Sequence, residues 1–263
     1  MAQFNRPNQD YTHGGENNKL FEVNMLADQD GNVINTFGAA SNIPIASGSV
    51  TGHSHINKFG YSDDIANLST IWDGSNIYTY STSAGAVTVA SSSSDDAGAV
   101  IEVQGLDASY HLVTQDITID GTGATNLIRV FRARVKTPAS GETGNVGIIS
   151  INIGGQLRAK ILAGKGQTLM AVYTIPAGKT GYLLNLTMSV DKSVDVIYKL
   201  MAREQGGAFN IKGQFGTFGT PIDHNYPIPL VFTEKTDIEI QAEAGNNCGG
   251  GATFDLILVD NPA

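Results

Sequence analysis

Charge is scarce in this sequence. Of 263 residues only 16 % are Asp, Glu, Lys or Arg, against about 25 % in an average domain. What charge there is leans negative: 16 Lys and Arg against 25 Asp and Glu, a formal net charge of −9. That balance disfavours nucleic acid, whose phosphates select a basic face, and it disfavours an anionic membrane surface. It suits a protein kept soluble at high copy number. Cysteine is all but missing. Cys248 stands alone, so an internal disulfide and a Cys-based zinc site are both excluded, and the fold must stand on packing or association. No apolar run approaches the ~18 residues of a membrane span. The opening Met1-Ala2-Gln3-Phe4-Asn5-Arg6-Pro7 lacks the apolar stretch of a secretion signal, so synthesis in a cytosol is expected. A capped 3.6-residue apolar period is absent too; Asp63 to Thr70 is the one place where a helical turn is expected.

The signatures of chemistry are also missing. Gly-x-Ser-x-Gly does not occur, and Gly164-Lys165-Gly166 lacks the rest of a phosphate-binding loop. The pairs Asp63-Asp64 and Asp95-Asp96 consist of neighbours, which face opposite ways on a strand and make no acid/base couple. Asp28-Gln29-Asp30-Gly31 stops short of a calcium loop. His53 and His55, in Gly52-His53-Ser54-His55, share a side at i and i+2, but no further ligand stands at metal-site spacing; the segment reads as a turn with surface imidazoles. The sole tryptophan, Trp72, reads as a packing residue. Phe209, Phe215, Phe218 and Tyr226 read as core or inter-subunit contacts. No catalytic, cofactor-binding or metal-binding residue is assigned, and the chain is expected not to be an enzyme and to need no cofactor.

What the chain has is hydrophobicity, 41 %, and 31 glycines among many Ser, Thr and Asn. These residues favour turns and strands over helices, so an all-β fold is expected. A first strand series covers Ile77–Tyr80, Ala86–Ala90, Val100–Gln104, His111–Ile119, Leu127–Val135, Val146–Ile151 and Gln156–Leu162. A second covers Thr168–Ile175, Gly181–Val190, Val194–Ala202, Phe209–Phe218, Ile228–Phe232, Asp237–Ala244 and Thr253–Val259. Short strands parted by turns every 8–12 residues or so indicate a β-sandwich or jelly roll. Asp237-Ile238-Glu239-Ile240-Gln241-Ala242-Glu243 alternates strictly and predicts a half-buried strand. Three parts are expected: residues 1–60 as an N-terminal arm or small hairpin, 61–165 as one sandwich and 166–263 as a jelly-roll-like second, joined near Gly164-Lys165-Gly166. The arm's apolar islands supply candidate assembly contacts, Phe21, Val23, Met25, Ile43 and Ile45, because a lone hairpin is marginal in water and needs a surface to cover.

Several segments resemble, in matching order from Lys58 to Leu184, a family of virion structural proteins of tailed double-stranded DNA bacteriophages. They are Asn57-Lys58-Phe59-Gly60, Ile71-Trp72-Asp73-Gly74 with Tyr78 and Tyr80, Gly105-Leu106-Asp107, Asp116 to Gly121, Gly144 to Ile149 and Tyr173 to Thr180. The resemblance implies a β-rich virion component without catalytic residues. The expectation is a capsid decoration (cement) protein, a homotrimer on the capsid surface made in the host cytoplasm. Its partners would be the major capsid protein and its own copies, with neither nucleic acid nor membrane. A tail or fibre component that binds a host receptor is the first rival. A carbohydrate-active enzyme, which would need facing carboxylates in a cleft, is the second.

Overall fold

The computed structural model describes residues 26–27, 33–34 and 42–262, with side chains from residue 44 onward. The chain divides into two units, Met1–Pro44 and Ile45–Ala263. In the first, β1 (Leu26–Ala27) and β2 (Val33–Ile34) pair antiparallel. The one α-helix among the described residues is α1 (Asn42–Ala46). Nearly all other regular structure is strand, and the fold is all-β.

The second unit continues with β3 (His53–Ser62) and β4 (Ser69–Thr70). Next come β5 (Val87–Ser91), β6 (Val100–Leu106), β7 (Leu112–Thr118), β8 (Arg129–Thr137), β9 (Ile149–Ile153) and β10 (Gln156–Ile161). The last series is β11 (Val172–Thr174), β12 (Lys179–Val190), β13 (Asp195–Arg203), β14 (Asn210–Phe218), β15 (Ile222–Phe232), β16 (Asp237–Ala244) and β17 (Gly250–Asp260). One sheet has the order β15-β12-β17-β3; the sheet facing it has the order β11-β16-β13-β14, with β4 beside β16. The pairs are antiparallel. Setting β4 aside, β3 and β11 to β17 supply eight strands in the sheet order of a jelly roll. Strands β5 to β10 form a second sandwich from the sheets β10-β9-β5 and β7-β6-β8. It is inserted between the jelly roll's first strand and its second.

This topology corrects the division at residue 60. The first jelly-roll strand, β3, lies largely within the segment expected to be an arm, so the jelly roll is discontinuous in sequence. Register shows why β3 belongs to the core: Ile56 is paired with Leu256 and Lys58 with Phe254, and Leu256 and Phe254 are fully buried. A Cβ on Gly60 would lie 2.4 Å from Ala171 N and from Ile71 O. Only glycine lets β3 pass this close to the segments entering and leaving the inserted sandwich. Other expectations also change. Residues 77–80 form no strand, and residues 63–70 form no helical turn. Instead Tyr78 and Tyr80 are buried, stacked edge-on with a 4.8 Å centroid separation, and Trp72 meets Tyr78 at 5.1 Å.

Two hydrophobic cores result, and one strand serves both. Ala171, Tyr173 and Ile175 enter the jelly-roll core, whereas Met170 and Val172 enter the core of the inserted sandwich. That is the period of two of an extended chain with both faces buried. Strand β16 does the same with different chemistry. Ile238, Ile240 and Ala242 fill the jelly-roll core, while Asp237, Glu239 and Gln241 on the other face are buried as well. They meet a polar layer beneath the inserted sandwich. Arg129 makes a two-pronged pair with Asp237 at 2.8 and 3.0 Å. Thr174 donates to the same carboxylate at 2.6 Å, as does Arg203. Glu239 accepts from Gln241 and Thr70. The expected half-exposed strand is therefore buried on both faces.

Candidate assembly surface

The outer strand of each jelly-roll sheet on one side has a single ladder partner: β14 pairs only with β13, and β15 only with β12. Inward, the two edges are closed by aromatics. Phe215 lies 5.0 Å from the His224 ring, and His224 lies 4.6 Å from Tyr226. Phe215 and Tyr226 pack on the jelly-roll core. Outward, the same strands carry the four most exposed large hydrophobic residues among the described ones: Ile228 at 85 %, Phe218 at 61 %, Val231 at 60 % and Ile211 at 53 %. Single exposed apolar residues are ordinary; four on the two edge strands make this side of the jelly roll a candidate interaction surface. Exposed Lys212, Gln214, Asp223 and Asn225 lie between them, the mixture of apolar anchors and polar surroundings found at protein interfaces.

The edges differ in what they offer. In β15, Pro227 and Pro229 flank Ile228 and supply no N–H, so strand addition is blocked there. The β12–β15 ladder correspondingly breaks register between Leu183 and Asn185. Strand β14, Asn210-Ile211-Lys212-Gly213-Gln214-Phe215-Gly216-Thr217-Phe218, has no proline and keeps its donors. A cavity of about 240 Å³ lies between the start of β14, at Asn210 and Lys212, and the end of β15, at Val231 and Phe232. Its wall includes Arg203, which is held by Asp237 at 2.6 Å and lies 4.6 Å over Phe209 and 4.9 Å over Tyr80. The lining is mixed, with Glu204, Asn210, Lys212, Thr233 and Thr236 beside Val231 and Phe232, and its guanidinium is already committed to a carboxylate.

Of the residues singled out in the sequence, Phe215, Phe218 and Tyr226 lie on β14 and β15. Phe21, Val23 and Met25 lie outside the described residues, as do Asp28 and Asp30. Ile43 lies in α1, its side chain outside the described set. Ile45 is only 4 % exposed, which withdraws it from the outward contacts. His53 and His55 open β3 rather than a turn. His55 Nε2 meets Asp255 Oδ1 at 2.9 Å, and the same oxygen accepts from Asn57 at 2.8 Å. Among the described residues no three His, Cys, Asp or Glu side chains are grouped to hold a metal. Asp96 is fully buried and caps a turn, accepting from Ser91 at 2.5 Å and from the N–H groups of Val146 and Gly147 at 2.7 and 2.9 Å. Trp72 is buried, its Nε1 donating to Asn76 O at 2.8 Å. Phe209 packs on the inserted core, and Phe218 is outward. Sequence reasoning missed Ile211, Ile228 and Val231 as surface residues. The Pro-Ile-Pro string of β15 is the signal that could have found Ile228, since proline within a strand marks an edge.

No family profile matches the chain, and no curated protein matches it. Among solved structures, the infectious bursal disease virus Gx strain is similar over 80 % of this chain and 73 % of that one, at 12 % identity and a TM-score of 0.26. The VP2 subviral particle of the same virus is similar over 81 % and 73 %, at 11 % identity and a TM-score of 0.20.

Proposed function

We propose that the chain is a non-enzymatic structural protein of a tailed-bacteriophage virion, specifically a decoration (cement) protein of the head. The observation that carries the reading is the apolar double edge of β14 and β15, an assembly surface on a jelly roll. The sequence resemblance supplies the setting: Asn57-Lys58-Phe59-Gly60, Ile71-Trp72-Asp73-Gly74 and Tyr173 to Thr180 lie on or beside the crossings between jelly roll and inserted sandwich. They define the architecture rather than a site of chemistry. In this reading copies associate through the double edge into a closed oligomer, a trimer, which hides free strand edges. The oligomer is made in the host cytoplasm and binds the major capsid protein only in the assembled shell. Binding that one state selectively stabilises it by mass action.

A reconstruction of the particle that carries this chain tests the proposal. The expected result is density for it on the head, in fixed stoichiometry with the capsid protein and with β14 and β15 at an inter-copy contact. A handful of copies confined to the tail would replace the reading with that of a tail or fibre component.

A further inference from the structure

A second cavity, of about 90 Å³, lies where β3 meets the inserted sandwich. It is lined by His55, Ile56, Asn57 and Lys58 of β3, Gln104 of β6, Phe131 and Arg132 of β8, and Tyr173 of β11. Its chemistry is one-sided. Lys58 is only 4 % exposed, and its ammonium donates to Phe131 O and lies 5.7 Å over the Phe131 ring. That leaves two of its three N–H groups without an acceptor. The Arg132 guanidinium lies 5.6 Å over the Phe59 ring, and no hydrogen bond or ion pair to another described residue engages it. The Tyr173 hydroxyl is buried without a partner. No carboxylate lines the cavity. The neighbouring acids are committed: Asp255 to His55 and Asn57, and Glu102 to Arg134 and Gln104.

We propose that this cavity binds one small oxyanion, of the phosphate or carboxylate class, between Lys58 and Arg132. Buried polar groups in folded proteins have partners, and Phe131 O satisfies only one N–H of the buried Lys58 ammonium, at a cavity whose lining carries two cationic side chains and no carboxylate. In a chain of net charge −9, two uncompensated cations at one cavity call for an anion. The volume suits one such group. Electrostatics point the same way, because burial, and then the charge of Arg132, hold the Lys58 ammonium down to about 7. An anion between the two cations would relieve both effects. Besides Lys58, the titratable and charged groups that line the cavity are Arg132 from β8, His55 from the opposite face of β3 and Tyr173 from β11; Asp255 of β17 pairs with His55.

The test uses the full chain, with inorganic phosphate and acetate titrated against chloride at matched ionic strength. Saturable thermal stabilisation by phosphate is expected, abolished in Arg132→Gln and Lys58→Met and retained in the surface control Lys165→Met, exposed and outside both cavities. Stabilisation by acetate but not phosphate would assign the site to a carboxylate, of the kind a partner chain carries. A second measurement needs no variant. In lysine-labelled wild-type protein, the Lys58 titration followed by NMR should move upward by about one pH unit or more when the anion binds. If chloride stabilises as well as either oxyanion and the Lys58 titration does not move, the cavity holds only water and the proposal is overturned.

Discussion

At the scale of single residues, the polar layer between the sandwiches is where energy is concentrated. Asp237 is 2 % exposed and Arg129 6 %, and Asp237 also receives Thr174 and Arg203. Removing one partner of a buried ion pair leaves an uncompensated charge. Asp237→Asn is therefore expected to lower stability by about 3–5 kcal/mol, read from denaturant midpoints; a loss under about 1 kcal/mol would mean that solvent reaches the pair. Asp73 tests the opposite sign. Burial pushes its carboxyl up to about 7, against the hydrogen bond from Leu169 N, and its Oδ1 is buried without a partner. A folded value above the ordinary 3.8 means that the folded state holds the proton more tightly. That contribution is full at low pH and is lost as pH rises through about 7. Asp73→Asn, which cannot ionise, should gain on wild type between pH 4 and 7.5, by on the order of 1–3 kcal/mol; parallel pH profiles would refute the cause given. Neither role was legible in sequence. The alternation of β16 shows which residues face which way but not that both faces are covered, and the mate of Asp237 lies 108 positions away.

At the scale of elements, most strands of both series were legible, since turns and apolar runs bound them locally. The exceptions have physical reasons. Strand β3 shows little apolar alternation, because His53, His55 and Asn57 face outward while Lys58 occupies a core-facing place opposite Phe254. Residues 77–80 read as a strand because Tyr78 and Tyr80 are two apart, yet their rings pack into the inserted core without a ladder partner. These facts separate two truncations. Removing residues 1–44, the first unit, should leave the second unit folded. Removing residues 1–62 takes away β3, with its whole ladder to β17, and should abolish cooperative unfolding. Circular dichroism melts of both chains decide the matter. If the shorter truncation also fails to fold, the N-terminal residues complete the core and are no separate unit.

At the scale of the whole molecule, the jelly roll with its insertion explains why a linear reading found two sandwiches but cut one in the wrong place. The pairing of residues 53–62 with 250–259 closes a connection of nearly the whole chain, and such non-local contacts leave no trace in local pattern. The same topology puts β14 and β15 side by side as free edges, and from this follows the prediction on which the assembly reading depends. Ile228 and Phe218 are 85 % and 61 % exposed in the single chain, so charging them disturbs little internal packing. The double variant Ile228→Lys with Phe218→Lys should unfold within about 0.5 kcal/mol of wild type, as surface substitutions do. In an oligomer the same two positions would be buried, where four lysines or more brought together around a closed axis would be desolvated and repel one another. Sedimentation should therefore show wild type associating with rising concentration and the variant remaining monomeric at equal stability. A wild type that stays monomeric throughout would remove self-association from the proposal. A variant that associates as well as wild type would place the contact elsewhere on the surface.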